Sequence, residues 1–297
     1  MPPTSPNGSS TWSRETSATS TSETRRWVLL VGVILLCSLL AAGGCRSETG
    51  AHSVTLAGST SVQPFAELLA EVFMSRRPDV SVNVQGGGSS AGIEAALSGA
   101  ADIGMSSRHL EPGEEARLRP VLIAQDALAV VVHPSNPVTG LTREQVRDIF
   151  TGRIRNWDQV GGPPGAIHVV SREEGSGTRA SFEEMIMETR NVDPRALVQD
   201  SNGAVRETVA HDPAAIGYIS LGLVDARVKS ISIDGMIPSV QAVLDGKYRL
   251  VRPFLFVLKG EPRGPAADFI AFVLGPGQAI LREEGLIPAR TEGGGSP

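Results

Sequence analysis

The chain has 297 residues, 41% of them hydrophobic and 20% charged, enough for one large domain or two lobes with their own cores. Aromatic residues make up only 4%, which leaves little material for a base- or sugar-stacking platform, and a net charge of −5 argues against nucleic acid as a partner. Three arginines against two glutamates in the first 45 residues leave the remainder at −6, so an anion bound there is held by local dipoles and one or two cations.

Residues 1–24 are rich in Ser and Thr and carry no apolar period, which reads as disorder. Arg25 and Arg26 then precede the apolar run Trp27 to Ala42, which closes on Gly43-Gly44-Cys45. Positive charge, a run of about fifteen apolar residues and small residues before a break describe a signal peptide; a membrane span needs about twenty. The expected division is a disordered region plus lipoprotein signal peptide over 1–45 and a tether over 46–52. Cys45 resembles the lipid-accepting cysteine of the bacterial lipobox, with Ala42 where Leu is more usual; an uncleaved anchor helix is the alternative. No cysteine follows Cys45, so the body holds no disulfide and no thiolate metal site.

After the tether, strand-like and helix-like segments alternate, which predicts an α/β architecture. Ser53 to Leu56 reads as a strand, and Phe65, Leu68, Leu69, Val72 and Phe73 recur at helical spacing until Arg76-Arg77-Pro78. Val80, Val82 and Val84 alternate as a strand; Ile93, Ala96 and Leu97 mark a short helix ending at Gly99; Ala101 to Met105 is a small strand. Leu122 to His133 is a long apolar run stopped by Pro134-Ser135-Asn136-Pro137. Thr142 and Gln145 form a capping box for a helix over Arg143 to Phe150. Strands are expected at 167–171 and 216–219, helices at 180–189, 204–210 and 238–244. Tyr248 to Leu258 is the second long apolar run, and two helices, 265–274 and 276–284, close the body. Two long runs suit a chain that crosses twice between lobes, with the ligand in the cleft at loops following strand ends. The first lobe would comprise 53–128 and 250–297, the second 129–249, hinged at 126–132 and 249–254.

Three strand ends run into Gly/Ser/Thr clusters that open helices: Ala57-Gly58-Ser59-Thr60-Ser61, Gly86-Gly87-Gly88-Ser89-Ser90-Ala91-Gly92, and Arg172-Glu173-Glu174-Gly175-Ser176-Gly177-Thr178. Each supplies unpaired backbone N–H groups, hydroxyls and the positive end of a helix dipole, a combination that holds an oxyanion with little formal charge. Taken singly, each cluster also reads as a helix cap or a turn. No Gly-Lys-Ser/Thr follows the triple glycine, so it is not a Walker A loop. Arg172 adds a planar cation able to grip two oxygens of a tetrahedral anion, and Glu174 is placed to lock it; the bland alternative is a surface pair.

On these stretches, together with Ala101-Asp102-Ile103-Gly104-Met105-Ser106-Ser107-Arg108, Ile149-Phe150-Thr151-Gly152, Asn156-Trp157 and Ala215-Ile216-Gly217-Tyr218, the body resembles the PstS family, the phosphate-binding subunits of bacterial phosphate ABC transporters. The resemblance runs from about Val54 to Pro288. It implies a two-lobed periplasmic-binding-protein fold of type II, each lobe a mixed sheet flanked by helices. It also implies a lipid-anchored, monomeric protein on the extracytoplasmic side of the cell envelope that captures inorganic phosphate for ABC permease subunits. By motif, Thr60, Ser61, Ser89 and Ser107 would bind from the first lobe and Arg172, Ser176, Gly177 and Thr178 from the second, with Ser90, Arg108 and Glu174 in support. Several family members carry a proton-accepting Asp where this chain has Ser107, followed by Arg108. A serine can donate or accept, so rejection of sulfate is weakened. Arg108 either adds charge to the site or braces the lobe.

Two other readings compete. Gly88-Ser89-Ser90-Ala91-Gly92 fits Gly-x-Ser-x-Gly, and Asp193 or Asp200 and then His211 follow in the order of a serine hydrolase with Ser90 as nucleophile. The five histidines are scattered singly, however. No His/Asp group has ligand spacing, so neither metal nor cofactor is expected. The nearer rival is a binding protein for another oxyanion, such as sulfate, molybdate or tungstate.

Overall fold

The computed structural model describes residues 52–289. The expected signal peptide, Cys45 and most of the tether lie outside them.

The body opens as a βαβαβ run: β1 (His52–Gly58), α1 (Gln63–Arg76), β2 (Val80–Gly86), α2 (Ser89–Ser98) and β3 (Ile103–Ser106). β2 and β3 both pair parallel with β1. A short helix, α3 (Pro112–Glu115), leads into β4 (Arg119–Val132), the longest strand. Then come β5 (Gly140–Leu141), α4 (Arg143–Phe150), β6 (His168–Arg172), α5 (Gly177–Phe182), β7 (Leu197–Gln199), α6 (Asn202–His211) and β8 (Ala215–Ser220). β9 (Lys229–Ser230), β10 (Ser232–Ile233) and α7 (Val240–Leu244) lead to β11 (Val251–Leu258). The described chain closes with α8 (Gly264–Leu274), α9 (Gly277–Glu283) and β12 (Ile287–Pro288).

β4 belongs to two halves of one sheet, ordered β2-β1-β3-β11-β4-β8-β6-β7. Its first part pairs antiparallel with β11, from Arg119 opposite Leu258 to Ala127 opposite Val251. Its second part, Leu128 to Val132, pairs antiparallel with β8. β6 then runs parallel to both β8 and β7. Each half is thus a mixed sheet with its own core. Leu56, Phe65, Leu69, Phe73, Ile103, Phe254 and Phe269 are buried together on one side. Val130, Val146, Ile149, Phe150, Phe182, Ile186 and Tyr218 are buried together on the other. Each fully buried large apolar side chain contributes about 2–3 kcal/mol of transfer free energy. Two cores of this size make the two lobes, and the antiparallel pair β4–β11 lies where they meet.

The capping box forms as the sequence predicts: the Gln145 amide N–H donates to Thr142 Oγ1 at 3.1 Å, and the Thr142 N–H to Gln145 Oε1 at 2.9 Å. It holds α4 so that Val146, Ile149 and Phe150 enter the second core. The helix expected over 180–189 differs. It begins earlier, at Gly177, because the Ser176 hydroxyl caps it by accepting the Arg179 N–H at 3.2 Å. It then widens to a π-helix over Glu183–Met187 and stops at Glu188, whose φ is 57°. Pro253 is accommodated inside β11, whose register shifts between Phe254 and Leu255.

Candidate oxyanion-binding site

In the first lobe, Gly92 sets the geometry. A Cβ there would lie 2.5 Å from the Ala57 carbonyl oxygen and 2.6 Å from Gly58 Cα, so only glycine lets α2 rest directly on β1. That contact brings Ser89, in the first turn of α2, under the end of β3. The Ser107 amide donates to Ser89 Oγ at 3.0 Å and Ser59 Oγ donates to Ser107 Oγ at 2.9 Å. Ser59, Ser61, Ser89 and Ser107 are all buried.

In the second lobe, β6 ends at Arg172, whose side chain is only 1% exposed. Tyr218 fixes that strand end from β8: its hydroxyl bonds Ser171 Oγ at 2.9 Å and accepts the Arg172 N–H at 3.2 Å. Burial pushes the Tyr218 phenol up to about 12, so it stays a neutral strut. The Arg172 guanidinium is braced by Nε donation to the Gln199 carbonyl at 3.2 Å and Nη2 donation to the Asp200 carbonyl at 3.1 Å. Its carboxylate partner is Glu173, with two hydrogen bonds of 2.9 Å. The expectation for Glu174 is corrected: at the strand end the adjacent side chain folds back alongside the guanidinium, while Glu174, one residue further round the turn, is exposed.

The candidate residues from the two lobes meet. Ser61 Oγ lies 2.7 Å from Thr178 Oγ1, and Arg172 Nη2 donates to Thr60 Oγ1 at 3.1 Å. Arg172 Nη1 stands 3.5 Å from Thr178 Oγ1. Across the same junction the Ser90 amide donates to the Gly175 carbonyl at 3.2 Å and Ser181 Oγ to the Ser107 carbonyl at 3.2 Å. Gly177 sits where a Cβ would come within 2.2 Å of Ser89 Oγ and 2.7 Å of Ser107 Oγ. Ser176 is buried beside it with its oxygen engaged as the α5 cap.

Three participants were not anticipated. Asn202, at the start of α6, donates Nδ2 to Ser61 Oγ at 2.7 Å and accepts the Ser220 N–H at 3.1 Å. Arg252 on β11 and Asp126 on β4 form an ion pair, 2.9 Å between Nη2 and Oδ2, with both side chains 1% exposed. Arg252 also points two nitrogens at the site, Nη2 to Ser61 Oγ at 3.2 Å and Nη1 to Ser107 Oγ at 3.4 Å. Burial pushes the Asp126 carboxyl up and the Arg252 guanidinium down, while the pairing and the Ser220 hydroxyl, 2.8 Å from Asp126 Oδ1, oppose those shifts. A legible signal existed: Asp126 and Arg252 are opposite charges inside the two long apolar runs, and buried charges come paired.

Arg108 is a brace, holding Glu114 through two hydrogen bonds of 2.8 and 2.9 Å. The parts expected of a hydrolase have other partners. Ser90 is exposed, with Arg108 Nη2 3.5 Å from its oxygen; His211 Nδ1 faces the Glu207 carbonyl; Asp193 is paired with Arg195. Among the described residues no group of three or more His, Cys, Asp or Glu is placed to hold a metal ion.

Two lobes joined by a crossing strand pair, with hydroxyls, helix N-termini and a buried arginine at their junction, define a two-lobed binding protein. Residues 43–276 match the model of the PBP superfamily domain. The phosphate-binding protein PstS of Bacillus subtilis is 32% identical over 248 residues, 81% of this chain and 82% of its own. PstS of Borreliella burgdorferi is 28% identical over 278 residues, 89% of this chain and 99% of its own. A substrate-binding protein from Clostridium perfringens, solved with bound phosphate, is 42% identical with a TM-score of 0.78, covering 80% of this chain and 100% of that one. An ABC-type phosphate transport receptor from Vibrio cholerae is 41% identical with a TM-score of 0.67 over the same shares. The chain belongs to the PstS family.

Proposed function

We propose that this protein captures inorganic phosphate between its two lobes outside the cytoplasm and delivers it to an ABC permease. One observation carries the reading: Arg172, buried and braced by two backbone carbonyls, converges with Thr60, Ser61 and Thr178 where the lobes meet. The guanidinium supplies a fixed cation, and its Nη1, which Glu173 and the backbone carbonyls leave over, faces the junction beside Thr178 Oγ1. The hydroxyls of Thr60, Ser61, Ser89, Ser107, Ser176 and Thr178, with the Gly177 amide, supply directional bonds that recognise a tetrahedron. The relatives that match most of the chain are named for binding phosphate, which supports the same reading.

Capture proceeds by closure. With the lobes apart, phosphate meets one half of the donor set; charge-assisted bonds to the second half then favour the closed form. Of the described residues, 53–128 and 250–289 make the first lobe and 129–249 the second, with the hinge at 126–132 and 249–254. Two contacts support that placement: the Leu128 N–H donates to the Leu250 carbonyl at 2.8 Å, and the Tyr248 hydroxyl to the Leu128 carbonyl at 2.7 Å. Cys45 carries the lipid that keeps this monomer at the membrane surface near its permease. The partners of Ser90, His211 and Asp193 support binding over hydrolysis as the role. Equilibrium dialysis against labelled phosphate tests the reading: one phosphate retained per chain is expected, and none retained contradicts it.

A further inference from the structure

β7 is the last strand of the sheet and pairs, in parallel, with β6 alone. The Glu173 N–H donates to the Gln199 carbonyl at 3.2 Å, so Gln199 faces β6. By the alternation of a strand ladder, the N–H and C=O of Val198 then point to the outer edge. Leu197 and Val198 are 52% and 55% exposed. Apolar side chains on an open strand edge invite another strand to pair there. Beside Leu197 lies a cavity of about 440 Å³, lined also by Ile149, Ile154, Ile167 and Val169. At its rim Asp193 is held by Arg195, and Asp212 by His168 and the Ala214 N–H. Arg155 is exposed there and donates Nε to the Gly152 carbonyl at 2.6 Å. Its two terminal nitrogens have no partner among the described residues, which leaves them to complement a carboxylate.

This edge is also tied to the anion site. The carbonyls of Gln199 and Asp200, the last residue of β7 and the one after it, hold the Arg172 guanidinium at 3.2 Å from Nε and 3.1 Å from Nη2. We propose, resting on the phosphate-binding reading above, that the free edge of β7 and the cavity beside it dock an extended segment of the permease, with an aliphatic side chain for the cavity and a carboxylate for Arg155. The segment adds to the sheet beside Val198: backbone bonds give affinity, and the cavity and Arg155 give choice. Phosphate on Arg172 fixes the guanidinium against the two carbonyls and thereby fixes the edge, so the loaded chain binds the segment more tightly than the empty one. The partner that has to tell a loaded chain from an empty one is the one that receives the phosphate, which commits this surface to the permease.

The test pairs calorimetry of the full chain with uptake of labelled phosphate by cells in which each variant replaces the wild type. Leu197→Asp puts a charge at the cavity mouth, and Arg155→Glu reverses the charge at its rim. Both residues are exposed and neither is bonded to Arg172. Each variant is expected to bind inorganic phosphate within about 2-fold of the wild type while uptake falls about 10-fold or more. A photo-crosslinking residue at position 198 is expected to join a permease subunit, about 5-fold more in phosphate-fed than in phosphate-starved cells. Wild-type uptake in both variants overturns the inference. Uptake that falls only in step with phosphate affinity also overturns it, leaving β7 as a support for Arg172. A crosslink to a second copy of this chain, or to no permease subunit, assigns the edge elsewhere and overturns it too, and equal crosslinking with and without phosphate removes the coupling to loading. Wild-type protein that binds no phosphate instead overturns the underlying reading of function.

Discussion

The hydroxyls of Ser61 and Thr178 lie 2.7 Å apart, although 117 residues separate them in the chain. Ser61 stands on the turn into the first helix of one lobe and Thr178 in the first turn of α5 in the other. Their contact marks the plane on which the lobes close: Thr60, Ser176 and Gly177 lie within two residues of one of them, Arg172 Nη1 reaches Thr178, and Ser107 connects to Ser61 through Arg252.

Closure at that plane depends on the size of residue 177. A methyl group there would meet Ser89 Oγ at 2.2 Å and Ser107 Oγ at 2.7 Å. Gly177→Ala is expected to hold the lobes apart and weaken phosphate binding about 10-fold or more, with little loss of stability in the open form. Calorimetry together with small-angle scattering in saturating phosphate checks it; a compact particle with wild-type affinity contradicts it.

Arg172 is aimed by Tyr218, which stacks on Phe182 with ring centroids 4.0 Å apart. Tyr218→Phe keeps the stacking and removes the hydroxyl that holds Ser171 and the Arg172 amide. It is expected to cost about 1–3 kcal/mol of stability and to weaken phosphate binding in parallel. Urea unfolding and titration of the same preparation would measure both; loss of neither refutes the strut.

The Asp126–Arg252 pair lies between strands that belong to both lobes. Asp126→Ala leaves a buried guanidinium without its counter-charge and is expected to cost about 3–5 kcal/mol. Chemical denaturation measures it, and a loss below about 1 kcal/mol shows that the cation finds another partner.

Arg108 holds the Glu114 carboxyl below its ordinary range by hydrogen bonding. A carboxyl depressed on folding contributes stability that is fully present above its unfolded value, about 4.3, and is lost as pH falls through the folded value. Glu114→Gln is therefore expected to lose about 1 kcal/mol at neutral pH and nothing at about pH 2. Denaturation curves at both pH values compare the two proteins; a loss that persists in acid points to packing instead.

Much of this was legible in the residues. Alternating valines placed β2, a capping box placed α4, and three strand ends running into Gly/Ser/Thr clusters marked most of the candidate residues that the structure brings together, because backbone geometry at a strand-to-helix turn is written locally. What could not be read was pairing across the fold. Glu173 rather than Glu174 faces Arg172 because the turn decides which side chain folds back, and neighbouring glutamates look alike in sequence. Asn202 reaches Ser61 only through the packing of α6 beside the junction. Arg252 and Asp126 were hidden inside segments read as crossings, where their charges were the clue to a site. The short strands β5, β7, β9, β10 and β12 have too few residues to show a period, and neighbouring strands impose them.

The most direct test of the account is isothermal titration with inorganic phosphate of the wild type and of Arg172→Ala. One phosphate per wild-type chain, and an affinity about 100-fold lower or worse in the variant, is the predicted result, since the variant loses the cation on which the donor set converges. Equal affinity in the two proteins, or no heat from the wild type, would contradict it.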